Sequence, residues 1–426
     1  MRTLHLLPAL ALLAACSSTS NPKGPDEVPI ATSPQARVTQ PNVPAPDATA
    51  LREGNTAFAT DLYRTLAADP TSKGKNLFFS PHSISIALAM TYAGASGDTA
   101  TEMASALHYT LPQDRLHPAF NALDLALTSR GENAKARDGK AFRLRVTNST
   151  WGAPQTKFRT PYLDALAQNY GAGIRLTDFA KNPEAARGTI NAWVEHETED
   201  RIKELLPQGS VGSDTRLVLV NAIYFNAAWA KPFEKTATQT RTFHGAAGDT
   251  QAALMAQSGQ MPYAKGDGWQ AVSIPYDGKQ LSFVAVLPSE LGAFETGFSA
   301  EQAAKIASTL SPVEVNLELP RFKIAGASVS LKTALAARGM KAAFDPDKAN
   351  FSGMAPETLY ISDVIHQAFV SVDEAGTEAA AATAVIAGTT SIPEQVVNLT
   401  IDRPFVFFVR DDATGAILFL GRVLTV

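Results

Sequence analysis

Residues Asp373 to Thr390 read DEAGTEAAAATAVIAGTT, a run dominated by small side chains between two strongly apolar stretches. In an extended strand, successive side chains face opposite sides. Thr377, Ala379, Ala381 and Thr383 then form one row, and Glu378, Ala380, Ala382 and Ala384 the other. Rows of small residues can slide into a tight gap where large or charged side chains would jam. A surface helix is the competing reading, since alanine is the best helix former and Glu-Ala runs favour helix. Gly376, the threonines and the following Val385-Ile386-Ala387-Gly388-Thr389-Thr390 weigh against it, because they suit an exposed extended loop equally well. The run reads as a mobile loop, a segment able to change place.

The rest of the chain must supply the body around it. Its 426 residues are 45% apolar and 18% charged, enough for one large domain or two ordinary ones with a substantial core. A formal net charge of -4 argues against a nucleic-acid partner, whose phosphates need a basic face. The densest basic run ends in Phe142-Arg143-Leu144-Arg145-Val146-Thr147, where alternation predicts a strand with the arginines on its solvated face.

The single cysteine bears on location. Met1-Arg2 opens a short positive region, Leu4 to Leu13 is mostly apolar, and Leu13-Ala14-Ala15-Cys16 sets small residues before the thiol. The pattern resembles a bacterial lipoprotein signal. That resemblance implies removal of residues 1–15, lipidation of Cys16 and, from Ser17, retention at the outer membrane of the cell envelope. An ordinary secretory peptide with an incidental cysteine is the alternative. No other stretch is long and apolar enough to span a bilayer, so a lipid would be the membrane attachment. Residues 16–50, rich in proline from Pro22 to Pro46, read as an extended, disordered linker.

From Leu51 to Val426 there is no second linker and no tandem repeat, so one domain is the simpler count. Leu51 to Leu66 reads as a helix, and Ser80-Pro81 starts another with Ser80 as its N-cap. Asn191 to Leu206 and Leu331 to Gly339 look helical. Leu217 to Phe225, Ala271 to Pro275, Leu281 to Leu287 and Val313 to Leu319 look like strands, and Phe405 to Val409 with Ala416 to Val423 forms a hairpin around Asp411-Asp412-Ala413-Thr414-Gly415. The irregular mixture predicts an α+β fold with mixed sheets.

Catalytic signatures fail on their spacing. His196-Glu197 begins H-E-x-x-H, but Asp200 stands where the second histidine must be, so no metal site is expected. Gly266-Asp267-Gly268 precedes a strand-like Ala271-Val272-Ser273-Ile274, where a dinucleotide site would need a helix, and reads as a turn. No G-x-S-x-G elbow occurs.

The segment from Asp373 to Thr383 strongly resembles the reactive-loop hinge of the serpins, the serine protease inhibitors. Other stretches agree in order: Asn76-Leu77-Phe78-Phe79-Ser80-Pro81-His82-Ser83-Ile84, then Val220-Asn221-Ala222-Ile223-Tyr224-Phe225 with Trp229, Pro232 and Phe233, then Arg403-Pro404-Phe405-Val406-Phe407 and Phe419-Leu420-Gly421-Arg422-Val423. The resemblance covers residues 51–426. It implies one large central sheet, about eight or nine helices and an exposed reactive-centre loop. It implies an inhibitor, not an enzyme, with no cofactor and no metal, whose loop is cut and then inserts as a strand of that sheet.

Within that family pattern, the hinge comprises Glu374, Gly376, Thr377, Glu378, Ala379, Ala380, Ala381, Ala382 and Thr383. Counting from Glu374 places the reactive bond between Thr390 and Ser391. Because Ser391 to Pro404 is longer than in familiar animal members, Thr389 is an alternative cut position. The implied partner of this monomer is a serine protease held as an acyl-enzyme, a cysteine protease being the other target class. The small, β-branched Thr390 suits an elastase-like shallow pocket. Ser80, Ser83, Asn221 and His366 match the polar cluster beneath the opening sheet, and Trp229, Arg321 and Glu374 match the place where the loop first enters, with an Arg-Glu pair closing the top. A core histidine and helix caps are the plainer reading of the first set. A serpin-fold protein without inhibitory action is the alternative to the whole.

Overall fold

Proline at position 81 and a hydroxyl at position 80 start the helix that organises the interior. The Ser80 side chain accepts from the Ser83 backbone N–H at 3.2 Å, and Pro81 occupies the first turn, where no amide hydrogen is needed. All twelve residues of this helix, Pro81–Tyr92, are buried. The computed structural model describes residues 28–131, 134–136, 142–326, 328–377 and 396–426.

Nine α-helices lie among the described residues: α1 (Ala45–Ala68), α2 (Pro81–Tyr92), α3 (Gly97–Ala106), α4 (Gln113–Thr128), α5 (Thr160–Tyr170), α6 (Pro183–Glu197), α7 (Leu291–Gly297), α8 (Ala300–Thr309) and α9 (Lys332–Ala337). None is long and apolar enough to cross a membrane. They pack on two large sheets. The first runs β1 (Ile30–Ala31), β4 (Ile174–Leu176), β3 (Arg143–Gly152), β5 (Leu217–Ala228), β14 (Gly376–Thr377), β13 (Ile361–Asp373) and β11 (Phe322–Ala325), with β12 (Val329–Ser330) also on β13. The second runs β15 (Val396–Thr400), β10 (Ser311–Pro320), β7 (Gly248–Gly266), β8 (Trp269–Pro275), β9 (Leu281–Pro288), β16 (Phe405–Asp411), β17 (Ile417–Val423) and β2 (Leu77–Phe79), with β6 (Gln239–Gly245) on β7. The α+β reading with mixed sheets holds.

The apolar runs read as strands occupy strands, with bounds that differ from the readings by no more than three residues. Gly266-Asp267-Gly268 is the turn between β7 and β8. Two readings need correction. The helix placed at Asn191 to Leu206 is α6, which begins at Pro183 because the Asn182 side chain caps it by accepting from the Ala185 N–H at 3.0 Å. It stops at Glu197, and Glu199 and Asp200 then take left-handed φ of 51° and 62°. Leu205 and Leu206 are buried without being helical.

The second correction concerns the linker. From Val28 onward the stretch assigned to it is ordered, and α1 starts at Ala45 instead of Leu51. Proline excludes helix from residues 28–44 but does not exclude docking. Ile30 and Ala31 add an antiparallel strand to the free edge of β4. Arg37 reaches Asn121 at 2.9 Å and Asp124 at 2.6 Å on α4, the Val38 N–H donates to Gln168 O at 2.9 Å, and Val28 is buried beside α6. The Arg37 guanidinium and the Val38 N–H of this arm thus find partners on the body.

Candidate functional site

Two constellations lie along one seam of the first sheet, between β5 and β13. In their lower part these strands pair in parallel, from Ile361 opposite Leu217 to Ala368 opposite Ile223. Higher up they diverge, and β14 fills the space between them, antiparallel to both.

At the top, β13 ends at Asp373, turns through Glu374 and Ala375, and returns as Gly376-Thr377. The turn closes on itself, since Asp373 Oδ1 accepts from the Ala375 N–H at 2.9 Å. Gly376 has φ of 148°, and a Cβ there would lie 2.2 Å from Ala227 O. Only glycine allows β14 this close to β5.

Trp229 fastens the turn from one side. Its indole N–H donates to Asp373 O at 2.8 Å and its backbone N–H to Ala375 O at 3.0 Å. The indole stacks on Tyr276 with ring centroids 4.7 Å apart, and the Tyr276 hydroxyl lies 2.8 Å from Thr377 Oγ1. Glu374 is buried, with one oxygen accepting from Arg321 Nε at 2.8 Å, from Arg321 Nη2 and from the Thr238 hydroxyl. Burial pushes this carboxyl up, and the bonds from Arg321 and Thr238 outweigh it, holding the group below its ordinary value. Trp229, Arg321 and Glu374 therefore meet as expected, with the Arg-Glu pair formed.

Midway down the seam, Asn148, Asn221 and His366 stand side by side on β3, β5 and β13. The Ser80 N–H donates to His366 Nε2 at 3.2 Å, so the proton sits on Nδ1, which donates to Asn221 Oδ1. Asn221 Nδ2 donates to Ser83 Oγ and to Asn148 Oδ1, while the Ser80 hydroxyl donates to Leu418 O at 2.7 Å. Burial lowers the His366 pKa to about 3, so the imidazole is neutral around pH 7. All four sequence-assigned residues are brought together.

Three members were missed. Asn148 continues the phase of Phe142, Leu144 and Val146, so an amide in the apolar register of a strand was the available signal. Thr238 and Tyr276 stand outside any motif. Glu378, Ala379, Ala380, Ala381, Ala382, Thr383, Thr390 and Ser391, with Cys16, lie outside the described residues. Among the described residues no cluster of His, Cys, Asp and Glu is suited to hold a metal.

The first sheet is thus mixed, with the two-residue strand β14 seated where β5 and β13 diverge. The chain belongs to the serpin family: the model of Serpin (serine protease inhibitor) matches residues 53–426. It is 40% identical over 376 residues to a serpin-like protein of Thermococcus kodakarensis, covering 86% of this chain and 84% of that one. It is 37% identical over 386 residues to the human leukocyte elastase inhibitor, covering 87% and 98%. Among solved structures, the native state of the thermophilic serpin tengpin superposes with a TM-score of 0.80 at 25% identity, covering 93% of this chain and 98% of that one. Human thyroxine-binding globulin in complex with its hormone gives 0.77 at 28%, covering 89% and 99%.

Proposed function

We propose that this protein is an inhibitory serpin: a serine protease cleaves it at Thr390–Ser391, and the freed segment inserts between β5 and β13 before the acyl-enzyme is hydrolysed. The observation that carries the proposal is β14, two residues of the hinge already paired on both sides within the seam.

The register of β14 supports the rest. Continued from Thr377, opposite Ala227 and Val372, it would set Ala379 beside Phe225 and Val370, Ala381 beside Ile223 and Ala368, and Thr383 beside Asn221 and His366. The small row thus falls on the face where large side chains already fill the core. The 14 residues from 377 to 390, at about 3.3 Å each, would carry the cut end about 45 Å from the top. A protease still attached would be dragged that far and distorted. The inhibitor supplies geometry and stored strain, and the protease supplies the nucleophile.

Elastase-like enzymes suit the small Thr390, with Thr389 as the neighbouring choice, and relatives at 37 to 38% identity are named leukocyte elastase inhibitors. A cysteine protease is the second class of target. The protein acts as a monomer, tethered to the bacterial envelope by a lipid on Cys16, at the outer membrane. Mixing the purified chain with a pancreatic elastase should yield a covalent complex that survives denaturing electrophoresis, with cleavage after Thr390 read by mass spectrometry. Cleaved product alone would favour a non-inhibitory substrate for that enzyme.

A further inference from the structure

His82 follows Pro81 in the first turn of α2, and its ring is buried, 2% exposed. Neither ring nitrogen has a hydrogen-bond partner among the described residues. Burial lowers its pKa to about 4, so near pH 7 the ring is neutral, with one N–H donor and one bare lone pair. Leaving both unpaired in a dry interior would cost about 1–3 kcal/mol each.

The ring lines a cavity of about 480 Å³ between α2, α4 and β3. That volume lies within the roughly 300–1,000 Å³ typical of small-molecule sites. His82, Ile86 and Met90 present a stripe at helical spacing on one wall, with Leu127 opposite. Asn148 lines the same cavity: its oxygen is committed to Ser83 and Asn221, while its Nδ2 has no partner among the described residues. At the rim, Arg37 is already paired with Asp124 at 2.6 Å, and Glu197 stands nearby.

We propose that this cavity binds a small neutral amphiphile, an aromatic or branched apolar body carrying one carboxamide, whose carbonyl accepts from Asn148 Nδ2 and whose amide N–H donates to the bare imidazole nitrogen of His82. One donor group, Asn148 Nδ2, and one acceptor, the bare His82 nitrogen, then meet the carbonyl and an N–H of the ligand. A carboxylate ligand would meet Asp124 and Glu197 with Arg37 already engaged. A cation would be held at the rim by Asp124 and Glu197, away from the one acceptor that His82 and Asn148 leave free, the bare imidazole nitrogen. Unlike the inhibitory reading, this site requires no cleavage and no loop movement.

The test is calorimetric titration of the full chain at pH 7.5 with phenylacetamide, phenylacetate and phenethylamine, with thermal unfolding in parallel. Phenylacetamide is expected to bind at least tenfold more tightly than either charged analogue and to raise the unfolding temperature in proportion to its concentration. His82→Phe should weaken that binding at least tenfold. Thr128→Trp, which plugs the mouth from an exposed position, should do the same and guards against a His82 variant that fails to fold. Absence of phenylacetamide binding at millimolar concentration, equal binding of the charged analogues, or binding indifferent to both substitutions would overturn the proposal. So would a crystal structure soaked in phenylacetamide in which only water bridges His82 and Asn148.

Discussion

Asn221 and His366 are hydrogen bonded to each other across the parallel seam between β5 and β13, the strands that the proposed insertion would separate. The bond cannot persist once a strand lies between them. Under the proposed mechanism it would act as a latch, closed in the intact molecule and released on expansion.

Asn221→Ala should open that latch. It strands the His366 Nδ1–H and removes the donor to Ser83 and Asn148, at a cost of about 1–3 kcal/mol for each buried group left unpaired. The expected outcome is a lower unfolding temperature together with faster loss of inhibitory capacity on warm incubation, followed by residual elastase inhibition over time.

The seam also responds to pH. The folded pKa of His366, about 3, lies below the ordinary 6.5, so the unfolded chain binds the extra proton first as pH falls. Stability is full above about pH 7 and declines below 6.5, by roughly 2 kcal/mol at pH 5 for one such histidine. His82 and His117, both lowered to about 4 by burial, add in the same direction. Urea unfolding at pH 7.5 and pH 5 should show the loss, and it should shrink in His82→Phe.

At the top of the seam, Arg321→Ala leaves the buried Glu374 carboxylate with the Thr238 hydroxyl and its own backbone N–H to hold it. Since the Arg321 side chain is 45% exposed, water replaces part of what is lost, and an effect of about 1 kcal/mol is expected. It should appear as a lower unfolding temperature and as faster protease cutting within residues 373–377.

Thr383→Arg tests insertion itself. A guanidinium at the position that the register sets beside Asn221 and His366 cannot enter a buried, neutral cluster cheaply. Elastase should still cut the loop at the wild-type rate, but the covalent complex should give way to cleaved product, read as a rising inhibitor-to-enzyme ratio.

Much of this site was legible because chemistry and position coincide there. Glu374 and Gly376 stand in a run whose small residues read as a mobile loop, and Ser80-Pro81 carries the N-cap and first-turn signals of a helix start. Asn148 and Tyr276 escaped because their roles are set by neighbours from other strands: Asn148 becomes part of the latch only when β3 lies against β5. The same holds for residues 28–44. Their prolines correctly forbid a helix, but the edge of β4 that receives Ile30 and Ala31 is built from residues 174–176.

That docked arm changes what a lipid on Cys16 would mean. With the chain ordered from Val28, twelve residue steps remain between lipid and body, a reach of at most about 40 Å, whereas a free linker to Leu51 would allow roughly 120 Å. Such a leash would be short and would meet the body next to β1, the outer edge of the first sheet, on the opposite side of the seam from β13. Admitting one more strand moves the two sides apart by about 4.8 Å. A membrane-bound molecule would therefore keep one half of its sheet moored while the half that bears the loop's root swings away.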